Sequence, residues 1–223
     1  MAKVIGLEFL RKKMLNKQEK IWKNTFGDGY TERNALNILS FEQLYHQRYG
    51  KTRRSLNEDF IGNLDRSSKI LEVGSNVGNQ LLILRKMGFS NLFGIDINQS
   101  ALELAKQRNL TVIYGSVLDI PFRDNFFDLI FTSGLLIHIP LEEIHRAISE
   151  IYRCTNQYIW GLEYYADKFT EIKYRGHSDL LWKANFSQLY FDSFSNLELI
   201  REKQLKYLNG ENEDRMFLLK KRR

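Results

Sequence analysis

One cysteine in 223 residues leaves Cys154 without a partner, which excludes an internal disulfide and any cluster of cysteine-bound metal. No apolar stretch is long enough to cross a bilayer and nothing reads as a signal peptide, so a cytoplasmic protein is expected. Excess charge of one sign is also scarce. The 33 Lys plus Arg exceed the 27 Asp plus Glu to give +6, and Lys220-Lys221-Arg222-Arg223 supplies four of those charges. A nucleic-acid footprint needs basic residues gathered on one face. The cluster Lys51-Thr52-Arg53-Arg54 reads as solvated surface and the terminus as a frayed end. Neither nucleic acid nor a membrane is an expected partner.

What is present suits one core with a modest extension: 43% of the residues are hydrophobic and 13% aromatic. Lys69 to Val73 forms an apolar strand carrying Glu72, and Gly74-Ser75-Asn76-Val77-Gly78 then leads into the apolar run Leu81 to Leu84. This is a strand, a tight loop and a helix start. Glycine belongs in such a loop because a residue without Cβ takes positive φ and lets backbone lie against a ligand. The three-glycine nicotinamide fingerprint is missing, since the spacing is Gly74-x-x-x-Gly78 with Asn76 where a middle glycine would stand. A second strand, Asn91 to Ile97, brings Asp96 and Ile97 to its end, 18 positions after Gly78 in the case of Asp96. An acidic residue about 20 positions past the loop is where such folds bond ribose hydroxyls. The alternative role is a cap for the helix carrying Ala101, Leu102, Leu104 and Ala105, for which Asn98 and Ser100 serve equally well.

The loop with Glu72 ahead of it resembles the first motif of class I S-adenosylmethionine-dependent methyltransferases, acidic-x-Gly-x-Gly-x-Gly, with its middle glycine replaced by Asn76. The resemblance implies an α/β, Rossmann-like, doubly wound sheet of seven mostly parallel strands with an N-terminal helical cap. It also implies S-adenosyl-L-methionine as cofactor, held by Glu72, Gly74, Asn76, Gly78, Asp96 and Ile97. A third strand, Leu110 to Tyr114, precedes Gly115-Ser116-Val117, which looks like the family's adenine-edge segment. There the family often has an acidic residue where this chain has Ser116, and Val117 offers its backbone N–H. The fourth strand and its sequel, Phe127-Asp128-Leu129-Ile130-Phe131-Thr132-Ser133-Gly134-Leu135-Leu136-Ile137-His138, resemble the "FDLV…SxVLHH" stretch of small-molecule methyltransferases. That likeness puts Thr132 and Ser133 beside the methionine moiety and the methyl group. His138 either approaches the acceptor or is a structural hydrogen-bonder. No Asn-Pro-Pro-Tyr or Asp-Pro-Pro-Tyr follows the strand, which argues against a nucleobase amino group as acceptor. Thr132 stands where the catechol class places a carboxylate ligand, so no metal is expected.

Residues 1–60 read as a helical lid ahead of a cofactor-binding domain over 61–223. Phe9, Leu10, Met14 and Leu15, then Ile21, Trp22, Thr25 and Phe26, repeat at helical spacing. In class I methyltransferases such a segment closes over the cofactor, which puts Tyr30 and Arg33 at its methionine end. A guanidinium suits a carboxylate as a bidentate donor, or Arg33 instead pairs with Asp28 or Glu32 at the surface. Tyr158 to Leu162 reads as a fifth strand with Glu163-Tyr164-Tyr165 beyond its carboxyl end, on the acceptor side. A long insertion then precedes the final strands, Leu197 to Leu208 and Arg215 to Lys220. It offers Lys173, Arg175 and Lys183 to an anionic acceptor and His177 as a general base.

Together with Trp22, Phe26 to Tyr30, Arg33-Asn34, Glu163-Tyr164-Tyr165 and Tyr174-Arg175-Gly176-His177…Leu181-Trp182-Lys183…Phe186, these motifs resemble the pseudaminic acid biosynthesis-associated methylase family. The resemblance implies methylation of a small molecule of surface-glycan biosynthesis: a sugar, a nucleotide-sugar or a carboxylate. Two other classes share parts of the pattern. An NAD-dependent oxidoreductase would share Asp96 and the sheet but needs the spacing that Asn76 breaks, and a non-catalytic binding module would keep the core and lose the loop chemistry.

Overall fold

The structure is a computed structural model that describes residues 16–222, so Phe9, Leu10, Met14 and Leu15 lie outside the described residues. Four helices come first: α1 (Lys17–Lys23), α2 (Thr25–Asn34), α3 (Ile38–Tyr49) and α4 (Arg53–Ile61). Then β1 (Lys69–Val73), α5 (Asn79–Lys86), β2 (Asn91–Asp96), α6 (Gln99–Gln107), β3 (Thr111–Tyr114) and β4 (Phe127–Ser133) alternate. They are followed by α7 (Leu141–Cys154), β5 (Thr155–Tyr164), β6 (Thr170–Glu171), β7 (Trp182–Lys183), α8 (Phe186–Ser193), β8 (Leu197–Lys206) and β9 (Glu213–Lys221).

The main sheet has seven strands in the order β3-β2-β1-β4-β5-β9-β8, parallel from β3 to β5, with β9 antiparallel to both of its neighbours. Alternation along each strand sends neighbouring residues to opposite faces. Ile70, Leu129, Phe131, Met216 and Leu218 join one core with α3, α4, α5 and α6. Leu71, Ile130, Phe217 and Leu219 join the other, with α7 and α8. Helix α7 shows the matching helical period, burying Ile144, Ala147, Ile148, Ile151 and Cys154. Among the described residues no helix is long and apolar enough to cross a membrane.

Packing does not break at residue 60. Phe41, Tyr45 and Tyr49 of α3 and Leu56 and Phe60 of α4 share the sheet's core. Arg53, expected on a solvated basic surface, is 0% exposed. Its Nε donates to Asn57 Oδ1 at 2.7 Å and its Nη1 to Tyr45 Oη at 3.1 Å and Ser133 Oγ at 3.0 Å. The guanidinium also lies over the rings of Tyr45 and Trp160. Its neighbours are indeed at the surface, Arg54 paired with Glu58 and Lys51 with Asp59. The basic terminus departs from expectation too: Lys220 and Lys221 belong to β9, and Lys221 Nζ donates to Asn125 Oδ1 and to the carbonyls of Tyr152 and Thr155.

The turn after β4 is held by Glu163 of β5, which is 1% exposed. Its Oε1 accepts from the Leu135 amide at 3.3 Å, and the Thr132 hydroxyl and the amides of Leu136 and Ile137 also favour the ionised form. Burial outweighs these bonds and pushes the carboxyl up to about 7 from 4.5. A pKa raised on folding favours the native state below the unfolded value and withdraws that support as pH rises through the folded one. Glu163→Gln, which is neutral at every pH, should therefore gain stability over the wild type between pH 5 and pH 8, by roughly 1–3 kcal/mol. Urea unfolding at both pH values measures it, and an equal difference at the two would refute a buried carboxylate that ionises in this interval.

Candidate functional site

The ends of β1, β2 and β4 and the loop after β3 open into one cavity of about 430 Å³, roofed by α1 and α2. In the loop after β1, Gly74 (φ 72°) and Gly78 (φ 77°) take the left-handed conformation, and so does Asn76 (φ 45°), a residue type that tolerates it. A Cβ on Gly74 would come within 2.6 Å of Leu135 Cδ1, and one on Gly78 within 2.2 Å of Leu110 Cδ1. The glycines are thus required by close packing of the loop on the chain as well as by backbone conformation.

Asp96 organises this floor. Its Oδ2 accepts from the Asn76 amide at 2.7 Å and its Oδ1 from the Asn98 amide at 2.8 Å. The Ile97 amide also favours the ionised carboxylate, and lone pairs remain on it for a ligand. Burial raises the Asp96 pKa against the pull of these amides. The helix-capping alternative falls to Asn98, whose Oδ1 accepts from Ala101 N at 2.8 Å. Glu72 is 4% exposed, with its carboxyl held well above the usual range by burial, although Arg53 opposes the shift.

Several buried side-chain atoms that line the cavity lack hydrogen-bond partners: Glu72 Oε2, Ser75 Oγ, Asn76 Oδ1, Gln80 Oε1 and Trp22 Nε1. Buried polar groups are normally paired. Such a lining suits a polar ligand rather than an apolar one.

The roof is latched to the floor by side chains. Asn76 Nδ2 donates to Thr31 Oγ1 at 3.0 Å, Asn79 Nδ2 to the Asn34 carbonyl at 2.8 Å, and Asn98 Nδ2 to Asp28 Oδ1 at 3.0 Å. Ser116 Oγ donates to Glu19 Oε1 at 2.5 Å. On the far side Lys17 pairs with Asp179, and Gln18 Nε2 donates to the Asp179 carbonyl. Tyr30 lines the cavity, its hydroxyl kept protonated by burial.

Besides the residues around Asp96, the cavity is lined by His138, Tyr174 and Arg175 and by Tyr45, Arg48, Tyr49, Tyr164 and Asp214. His138 is 7% exposed and packs against Trp22 with ring centroids 4.3 Å apart. Its Nδ1 lies 2.8 Å from the Leu180 carbonyl. A carbonyl only accepts, so Nδ1 carries the proton. Burial lowers the ring's pKa to about 4 from 6.5, which leaves it neutral with Nε2 as the basic atom. The structural and chemical readings of His138 are therefore compatible.

Of the residues expected from sequence, Glu72, Gly74, Asn76, Asp96, Ile97, Ser116, Val117, Ser133, Tyr30, Arg33, His138 and Arg175 line this cavity. Gly78 stands at its edge as the N-cap of α5. Thr132 does not line it, because its hydroxyl turns into the protein toward Glu163. His177 does not either: it sits exposed on a tight turn with Tyr174, edge-on to Phe26 at 5.7 Å. Lys173 is exposed, and Lys183 donates to Asn212. Arg33 is exposed at the rim and makes no ion pair among the described residues, with Asp28 or Glu32 or otherwise. Arg48, Tyr49 and Asp214 were not legible as site residues. Tyr49 and Tyr207 donate to Asp214 from α3 and from just past β8, and Arg48 lies over both rings.

Residues 71–157 match the methyltransferase domain family. Among curated proteins the chain is 25% identical over 175 residues to phosphoethanolamine N-methyltransferase of Plasmodium falciparum, covering 68% of this chain and 66% of that one. It is 29% identical over 124 residues to demethylmenaquinone methyltransferase of Staphylococcus epidermidis, covering 50% and 48%. The chain thus spans just under two thirds of the first relative and about half of the second. Among solved structures, magnesium protoporphyrin IX methyltransferase from Synechocystis PCC 6803, with bound S-adenosylhomocysteine, superposes with a TM-score of 0.68 at 14% identity over 92% of this chain and 98% of that one. A methyltransferase from Methanosarcina mazei gives 0.60 at 19% identity over 72% and 96%. Residues 71–157 match a methyltransferase domain, the sheet that contains them has the fold of these methyltransferase structures, and the cofactor that the match supports is S-adenosylmethionine.

Proposed function

We propose that this chain transfers a methyl group from S-adenosylmethionine to a small anionic acceptor. The observation that carries this reading is the single cavity that joins Asp96 and the glycine loop to His138, Arg48 and Arg175. The residues fit the cofactor. Asp96 offers free lone pairs to ribose hydroxyls, Glu72 has an unpartnered Oε2 for the α-ammonium, and Arg33 at the rim suits the carboxylate. When bound, the cofactor supplies an electrophilic sulfonium methyl for in-line displacement.

The chain's own contribution is position and a proton acceptor. The roof of Trp22 and Tyr30 limits water at the reacting centre, and holding donor and acceptor in line accounts for much of the rate. His138 Nε2 would take the proton that a hydroxyl or amine acceptor gives up on methylation. A carboxylate acceptor needs no base. Two guanidiniums, Arg48 and Arg175, line the acceptor end without an ion pair among the described residues, which supports an anion there, although Asp214 offsets part of the charge of Arg48. A phosphate ester like the substrate named for the Plasmodium relative has that chemistry. So does the carboxylate of an acidic sugar or a nucleotide-sugar of surface-glycan assembly, made in the cytoplasm, which is the acceptor class we favour. A screen of acidic sugars, nucleotide-sugars, phosphate esters and small carboxylic acids, read by release of S-adenosylhomocysteine, tests the reading. Turnover of neutral acceptors alone would count against it.

Asp96→Ala should weaken S-adenosylhomocysteine binding by roughly 1.5–3 kcal/mol, the value of hydrogen bonds to a charged group. Calorimetry on the folded variant measures this, and wild-type affinity would remove Asp96 from the ribose site.

With a hydroxyl or amine acceptor, His138→Ala should lower the catalytic rate by roughly 10²–10⁴-fold with little change in cofactor affinity. His177→Ala should stay close to wild type, since that ring lies outside the cavity. The reverse ranking would return the base to the hairpin. Because His138 is neutral down to about pH 4, its protonation should not limit the rate between pH 5 and pH 8.

A further inference from the structure

Where related sheets place an acidic residue after the third strand, this chain has Ser116, and the carboxylate found at that spot comes from the roof. Glu19 of α1 lines the cavity and receives the Ser116 hydroxyl at 2.5 Å, from 97 positions away. Its other oxygen accepts from the Asn16 amide at 3.0 Å, which closes the capping box of α1 and fixes the side chain's direction. Oε1 therefore keeps a lone pair facing the cavity. Beside it, Ser116 Oγ accepts from Leu118 N at 3.1 Å, while the amide of buried Val117 has no acceptor among the described residues. A carboxylate acceptor next to an unpaired N–H donor is the complement of a ring edge that carries an amino donor next to an acceptor nitrogen.

The direction of the cofactor follows from the sheet order. In the sheet order the end of β2, with Asp96, lies between the loop after β3, with Val117 and Leu118, and the end of β4, whose turn leads to His138. A sulfonium on the β4 side faces His138, Arg48 and Arg175, the groups suited to an acceptor. The base attached to the same ribose then lies on the β3 side with Ile97, Val117 and Leu118, where Glu19 meets Ser116.

We propose that Glu19 recognises the 6-amino group of the cofactor's adenine, with the Val117 amide on the adjacent ring nitrogen, so that the lid helix supplies the base-reading carboxylate that the sheet loop lacks. The proposal rests on the cofactor assignment and adds a specificity residue to it. It also makes base recognition conditional on α1 being closed.

The test is calorimetric titration of the full chain with S-adenosylhomocysteine and with its 6-oxo analogue S-inosylhomocysteine, for the wild type and for Glu19→Gln. The wild type should bind the amino form roughly 10–100-fold more tightly, because the 6-oxo form loses a bond to a charged acceptor and sets two acceptors face to face. Glutamine keeps the capping box and donates to a 6-oxo group. The variant should lose affinity for S-adenosylhomocysteine, gain affinity for the analogue, and so flatten or invert the ratio. An unchanged ratio in Glu19→Gln, with wild-type binding intact, would overturn the proposal alone. Failure of the wild type to bind either ligand would overturn the cofactor assignment beneath it.

Discussion

The Asp96 carboxylate is the constraint on which the site depends. Two backbone amides, those of Asn76 and Asn98, converge on it from the glycine loop and from the start of α6, so one side chain sets both loops that floor the cavity. The arrangement costs desolvation, which raises its pKa, and the amides of Asn98, Asn76 and Ile97 offset part of that cost. It holds the carboxylate oriented before any ligand arrives. Binding then need not spend free energy on ordering it.

The roof depends on the same floor. Asn76, whose amide is bound by Asp96, reaches Thr31 with its side chain, and Asn98, the other amide donor, reaches Asp28. The two residues whose amides orient Asp96 therefore also tie α2 to the floor through their side chains. Ligand exchange must break these bonds and the Ser116 to Glu19 bond together, all of them partly exposed to the cavity and individually worth little. Cooperative opening of α1 and α2, with the sheet unmoved, is the motion this bonding favours.

The sheet was legible because its signals are local: alternating strands, a glycine loop and helical periods can each be read in a window of about a dozen residues. Asp96, Glu72 and Asn76 were legible for the same reason. Arg48 and Asp214 were not, since what makes them site residues is a contact between Tyr49 and Asp214 across 165 positions. Arg53 read as surface because its neighbours are; only the packing of α4 against Tyr45 and Trp160 buries it. Thr132 fell on the wrong side of its strand, where alternation turns it toward Glu163 while Ser133 faces the cavity. His177 was credited for its chemistry, and a tight turn carries it to the outside.

The most direct test of the account is a crystal structure of the full chain with S-adenosylhomocysteine bound. The expected arrangement has the ribose hydroxyls on Asp96, the homocysteine sulfur toward His138 and Tyr30, and the adenine beside Val117 and Leu118. A cofactor lying with its sulfur beside Val117 and Leu118, or bound away from Asp96, would contradict it.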